Sequence, residues 1–193
     1  MNNIDSFNEA AERLKEGQVG IFPTDTAYGV GCRIDDIEAV KRIYEIRNRP
    51  SEKALLILVS SMEMAREYVS ITEEAMNMVS KYWPGGVTFI FPCIVDKVPA
   101  IVRANGSTLA VRLPAHEDLR KMIDIIGVPI VAPSANFSGE ITPTTISEVD
   151  LALQEHVDFS LSGMCTMKGI STIVDLTGVR PVVVRQGVVT IHE

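Results

Sequence analysis

The stretch Val19-Gly20-Ile21-Phe22-Pro23-Thr24-Asp25-Thr26-Ala27-Tyr28-Gly29-Val30-Gly31 decides how this chain reads. Val19 to Phe22 is apolar and predicts a short strand. Pro23 fixes the exit from that strand. Thr24, Asp25, Thr26 and Tyr28 then bring hydroxyl and carboxyl groups close to its end, and Gly29 and Gly31 allow near approach of backbone. A strand that hands polar groups to a Gly- and Pro-bearing loop presents them at the rim of a sheet. Taken alone, the segment also reads as a polar turn closed by an Asx-type bond. GxGxxG and GxxxxGK[ST] are both absent, so neither a dinucleotide fingerprint nor a P-loop is present.

Two later segments share this make-up. Arg47-Asn48-Arg49-Pro50 closes a helix-like run, and Ala132-Pro133-Ser134-Ala135-Asn136-Phe137-Ser138-Gly139 follows a short strand. Arg47 and Arg49 suit either a helix C-terminus on a solvated face or a phosphate clamp, with Lys53 adding a point charge. Ser134 has no neighbouring base and no GxSxG elbow, so Ser134 and Asn136 read as hydrogen-bonding groups, not as a nucleophile and its partner. Arg112, Ser171 and Arg185 stand at the ends of apolar runs, where ligands of open α/β sheets gather.

Between these segments, helices and short strands alternate. Asp5 is placed to cap a helix with Phe7, Ala10, Ala11 and Leu14 on one face, stopped by Gly17. Asp35 or Asp36 caps a second, with Ile37, Val40, Ile43 and Tyr44 inward, ending near Asn48 because Pro50 disfavours helix before it. Ala54 to Val59 reads as a strand buried on both faces. Further helices are expected at about Met62 to Val69, Glu73 to Tyr82, Glu117 to Ile126 and Ser147 to His156. Further strands are expected at Val87 to Phe91, Leu109 to Leu113, Pro129 to Ala132, Ile173 to Leu176 and Val182 to Arg185. The pattern predicts an α/β fold: one domain over 1–193, with helices on both faces of the sheet.

The bulk composition agrees. The chain has 193 residues, 46% of them hydrophobic, enough for one sizeable core. Its formal net charge of −7 argues against a surface devoted to nucleic acid. The sign reverses locally from Lys41 to Lys53, where Lys41, Arg42, Arg47, Arg49 and Lys53 face only Glu45 and Glu52. Cys32, Cys93 and Cys165 form no CxxC and read as buried apolar side chains; the histidines show no metal spacing, so no built-in metal site is expected. No apolar run approaches the length of a membrane span and the first residues do not resemble a signal peptide, so the expected location is cytoplasmic.

PTDTAYGVG, IYEIRNRPSEKALLILV, WPGGVTFIF, LAVRLP, APSANFSGEITPT, STIVDLTG and VVVRQG, in this order, resemble the YrdC/Sua5 family from about Ile4 to Val189. The chain looks like the short form, without the extra C-terminal domain of long members. The resemblance implies a single-domain, twisted mixed sheet of the YrdC/RibB-like kind with a concave positive face. It implies L-threonylcarbamoyladenylate synthase activity, a nucleotidyltransferase reaction of ATP, L-threonine and bicarbonate or carbon dioxide. Mg2+ arrives with ATP, and a separate threonylcarbamoyl-transferase machinery modifies adenosine 37 of tRNA. By the same resemblance the KxR and SxN motifs fall on Arg47, Arg49, Ser134 and Asn136. ATP contacts fall on Arg49, Lys53, Thr108, Ser134, Thr142 and Arg185. Threonine contacts fall on Thr26, Arg112, Ser171 and the backbone near Ala132.

Three positions depart from the family pattern: Arg47 replaces the usual Lys, Leu58 stands where long members often carry a threonine-touching His, and Gln186 replaces a Pro. Two other readings stay open. One is a protein of the same fold that holds tRNA or double-stranded RNA without catalysis. The other is a paralogous carbamoyl-adenylating enzyme, like the YrdC-like domain of hydrogenase-maturation proteins, though that domain's CxxC zinc modules are absent here.

Overall fold

Ten strands and six helices are present in the structure, a computed structural model describing residues 2–192. The first half holds β1 (Asn2–Ile4), α1 (Phe7–Lys15), β2 (Gly20–Pro23), β3 (Tyr28–Arg33), α2 (Ile37–Ile46), β4 (Leu56–Leu58), α3 (Met62–Tyr68), α4 (Glu73–Tyr82) and β5 (Val87–Pro92). The second holds β6 (Thr108–Arg112), α5 (Glu117–Ile126), β7 (Ile130–Val131), α6 (Leu151–Gln154), β8 (Phe159–Leu161), β9 (Thr172–Asp175) and β10 (Val182–Arg185). All strands join one mixed, twisted sheet in the order β1-β8-β2-β3-β7-β4-β6-β5-β9-β10. Parallel pairs (β1 with β8, β8 with β2, β4 with β6, β5 with β9) are interleaved with antiparallel ones. Among the described residues no helix is long and apolar enough to cross a membrane.

Two apolar layers sandwich the sheet. Phe22, Leu58, Ile130 and Phe159 pack with Ala10, Ala11 and Leu14 of α1 and with Leu119, Met122 and Ile123 of α5. On the other face Ile21, Val30, Ile57 and Val131 pack with Val40 and Ile43 of α2, Ala65 of α3 and Val79 of α4. Neighbouring residues such as Ile21 and Phe22 take opposite faces, as the two-residue pleat requires. The expected helices on both faces are therefore present.

Several local expectations need correction. Ser6, not Asp5, caps α1: its hydroxyl accepts the Glu9 N–H at 3.2 Å. Asp36 caps α2 through the Ala39 N–H, and Ile37, at the first helical position, is exposed instead of inward. The expected helix from Ser147 to His156 is broken. A 3-10 turn at Ile146–Glu148 gives way to extended Val149, and Asp150 caps the separate α6. Cys32 and Cys165 are buried as expected, while Cys93 is half-buried.

Strands β1, β3 and β8 lie outside the sequence expectation. β3 carries the two glycines that suggested a loop. At Gly31, a Cβ would stand 2.6 Å from Phe22 Cζ and 2.7 Å from the Val131 carbonyl oxygen, so only glycine fits this central strand. Gly31→Ala is expected to cost about 1–3 kcal/mol by overpacking. An unchanged denaturation midpoint for that variant would refute the close approach.

Candidate functional site

The helix α2 ends in a turn that aims two guanidinium groups. Asn48 adopts the left-handed conformation at φ 47°, which Asn tolerates better than most residues. The Arg49 N–H then donates to the Tyr44 carbonyl at 2.9 Å and the Asn48 N–H to the Glu45 carbonyl at 3.0 Å. This double closure is a Schellman motif. It turns the chain sharply between Arg47 and Arg49.

The loop after β7 locks onto this turn and onto β3. The Val30 N–H donates to the Pro133 carbonyl at 2.9 Å, and the Ala135 N–H to the Tyr28 carbonyl at 2.8 Å. Arg47 donates through Nε to the Asn136 carbonyl at 2.9 Å and, more weakly, through Nη2 to Asn136 Oδ1 at 3.4 Å and Ser134 Oγ at 3.5 Å. The second and third motifs are thus one structural unit.

The first motif forms the deep end. Thr24 Oγ1 donates to the Ala27 carbonyl at 2.7 Å and accepts the Thr26 N–H at 3.1 Å, which rigidifies the turn between β2 and β3. Arg112, at the end of β6, reaches under it and donates to the hydroxyls of Thr26 and Thr24. Asp25, fully buried, has one carboxylate oxygen 3.4 Å from Arg112 Nη2; the other accepts the Ala115 N–H at 3.0 Å. The 3.4 Å contact is an ion pair without hydrogen-bond geometry, so that oxygen makes no hydrogen bond.

A cavity of about 200 Å³ opens between these pieces. Its floor is the sheet itself, at Leu56, Ala110, Thr88 and Ile173, and its wall carries Arg47, Arg49, Arg112 and Arg185. No histidine, cysteine or carboxylate lines it among the described residues. Four guanidinium groups in an acid-free hollow contrast with the chain's net charge of −7. Burial, and then the charge of Arg49, lower the Arg47 guanidinium to about 10. Burial also lowers Arg185, with the charge of Arg112 adding to it, and lowers Arg112, opposed by Asp25. Burial lowers Arg49 as well. Arg47, buried and without a carboxylate partner among the described residues, is held at a cost that an incoming anion would relieve.

Sequence reading placed twelve residues in a site, and the cavity brings nine together. Thr26, Arg47, Arg49, Arg112, Ala132, Ser134, Thr142, Ser171 and Arg185 all line it. Three do not. The exposed Lys53 reaches the site only through its carbonyl, which accepts from Arg49 Nε at 3.1 Å. Thr108 begins β6 on an exposed stretch outside the lining. Asn136 turns its amide away to donate to the Phe137 and Glu140 carbonyls, both at 2.9 Å, and borders a separate hollow. Its place in the motif is explained by holding the loop and Arg47. Leu58 is buried against the α1 and α5 layer, away from the cavity.

Tyr28, named in the first motif but given no contact, also lines the cavity, and so does Thr88, which the sequence reading missed. Thr88 in particular lies in an apolar strand, where threonine reads as an ordinary β-former. Among the described residues no group of three or more His, Cys, Asp or Glu side chains could hold a metal ion.

Comparison with known proteins agrees with this architecture. The family model Sua5_yciO_yrdC, described as "Telomere recombination", matches residues 12–187. A protein of Pyrococcus abyssi named threonylcarbamoyl-AMP synthase is 38% identical over 189 residues, covering 95% of this chain and 54% of its own length. One of the same name from Aliivibrio fischeri is 33% identical over 151 residues, covering 77% of this chain and 81% of its own length. The chain therefore spans about half the length of the archaeal relative and most of the bacterial one. The crystal structure of P. abyssi Sua5 complexed with L-threonine superposes with a TM-score of 0.89 at 36% identity, over 96% of this chain and 57% of that one. With the family model matched along nearly its whole length, the chain belongs to the Sua5–YciO–YrdC family.

Proposed function

We propose that this chain is a threonylcarbamoyl-AMP synthase, acting on ATP, L-threonine and bicarbonate or carbon dioxide. The observation that carries the reading is the convergence of four arginines in an acid-free cavity whose deep end is lined with hydroxyls. The arginines suit a polyphosphate. Arg112, flanked by Thr24 and Thr26, suits the carboxylate of a small amino acid. That the P. abyssi relative was crystallised in complex with L-threonine supports threonine as the amino-acid ligand. A protein that only held RNA would need the arginines but not a buried, hydroxyl-lined pocket beside them.

The chemistry matches what the lining offers. The threonine amine adds to carbon dioxide and loses a proton, giving an N-carboxylate. One of its oxygens attacks the α-phosphorus of ATP, the bond to the β-phosphate oxygen breaks, and pyrophosphate leaves with its Mg2+. These steps need no covalent nucleophile from the protein. They need the reactants held in line and their negative charge neutralised. Arg49 and Arg185 are assigned to the phosphates, with Ser134 and Thr142 as hydroxyl contacts, and Arg47 holds the loop that carries Ser134. Transfer of the product to tRNA falls to other machinery.

The test is pyrophosphate release with ATP, Mg2+, bicarbonate and threonine. Release that requires both threonine and bicarbonate is expected; release indifferent to threonine would overturn the reading. Serine is expected to be a poor but measurable substrate and valine a worse one, because a site built to bond a hydroxyl rejects an analogue that lacks it. Comparable turnover of valine and threonine would remove the hydroxyl-reading pocket.

A further inference from the structure

We propose that Thr88 determines specificity in this site, its hydroxyl and that of Ser171 forming a paired reader of the hydroxyl on the amino-acid substrate. The inference rests on the synthase reading and names the residue behind its selectivity. The pair of strands β5 and β6 aligns Phe89 with Val111, which brings Thr88 beside Arg112. Thr88 is fully buried and Ser171 nearly so, yet both border the cavity. Their hydroxyl oxygens lie 2.9 Å apart.

Proton counting shows why the pair faces a ligand. Arg185 Nη2 donates to Ser171 Oγ at 3.1 Å, and a guanidinium can only donate, so that lone pair is taken. Arg185 also donates to the Ser171 carbonyl from Nη2 at 2.8 Å and Nε at 3.2 Å, which fixes the serine in place. The two hydroxyls own two protons, and one of them bridges the 2.9 Å gap. The other has no hydrogen-bond acceptor among the described residues. Whichever way the bridge points, one O–H is left for the cavity.

A buried donor of this kind selects an occupant that can accept from it. The hydroxyl of threonine can; the methyl that replaces it in valine cannot. Arg112 beside the pair takes the carboxylate, so amino acid and hydroxyl are read from adjacent strands. Through Ser171 the same pair touches Arg185, assigned above to phosphate.

The test compares Thr88→Val, which keeps the branched shape and loses the hydroxyl, with Thr88→Ser, which keeps the hydroxyl. Thr88→Val is expected to lower the threonine-over-valine ratio in kcat/KM by about tenfold or more. The change should lie in the KM for threonine, with the KM for ATP unmoved. Thr88→Ser should restore the selection. A Thr88→Val protein with the wild-type ratio would overturn the proposal. Equilibrium binding of threonine and valine, read by calorimetry on wild type and variants, carries the same comparison without turnover. Thr88→Ala gives that readout should the valine variant not fold. A wild type that binds threonine selectively through Thr88 but releases no threonine-dependent pyrophosphate would sink the synthase reading alone.

Discussion

Arg112→Ala is expected to lose both activity and a large part of the protein's stability. Arg112 is 4% exposed, and its guanidinium is the ion-pair partner of the fully buried Asp25 carboxylate. One Asp25 oxygen has no hydrogen bond to fall back on. Removing one member of such a pair leaves an uncompensated buried charge, which costs about 3–5 kcal/mol. In a domain of this size each kcal/mol lowers the melting temperature by roughly 2–4 °C. A fall of at least about 6 °C is therefore expected by calorimetry. Removing both charges, as Asp25→Asn with Arg112→Met, should recover much of the stability and none of the activity. An Arg112→Ala protein that melts with wild type would show that Asp25 is not held by that charge.

Arg49→Ala is expected to show the opposite pattern: an intact fold and a nearly silent site. Arg49 is half-buried, and its hydrogen bonds go to the carbonyls of the exposed residues Lys53 and Ala54, at 3.1 and 2.8 Å. Water can replace it at both. Its loss from a phosphate clamp is costlier, about 2–5 kcal/mol of nucleotide binding on the scale for breaking a desolvated charge pair. ATP affinity should fall by at least an order of magnitude, with threonine-dependent pyrophosphate close to background. Calorimetry with ATP and a thermal melt separate the two effects. Near-normal pyrophosphate release from a folded Arg49→Ala protein would contradict the clamp.

The loops of the site were legible in the sequence because their chemistry is local. Pro23, the Asn48 turn and Pro133 constrain backbone wherever they stand, and each is followed or flanked by hydroxyls or guanidinium groups whose purpose is not packing. The longer helices were legible for a related reason: α5 shows its apolar face within its ten residues and ends at Gly127, left-handed at φ 78°. β3 was not, because the reason for Gly31 lies in Phe22 and Val131, one strand away on either side. β1 and β8 are three residues each and exist through pairing with each other and with β2. Thr88 stayed hidden because its role depends on Ser171, 83 positions later. Asn136 is a hydrogen-bonding group as its place in the motif suggested, but its amide donates to the Phe137 and Glu140 carbonyls and it does not line the cavity, which only the folded loop reveals.

Arg185 sits on β10, the last strand of the sheet, which among the described residues pairs only with β9 and whose register slips between Val183 and Arg185. Val182, Val183 and Val184 are all exposed, so little burial retains the strand. One of the cationic groups of the cavity is thus carried by an edge strand with little burial to hold it. Ligand capture must spend part of its energy on quieting that edge, and amide exchange along Val182–Arg185 becomes a direct gauge of how fully the site is occupied.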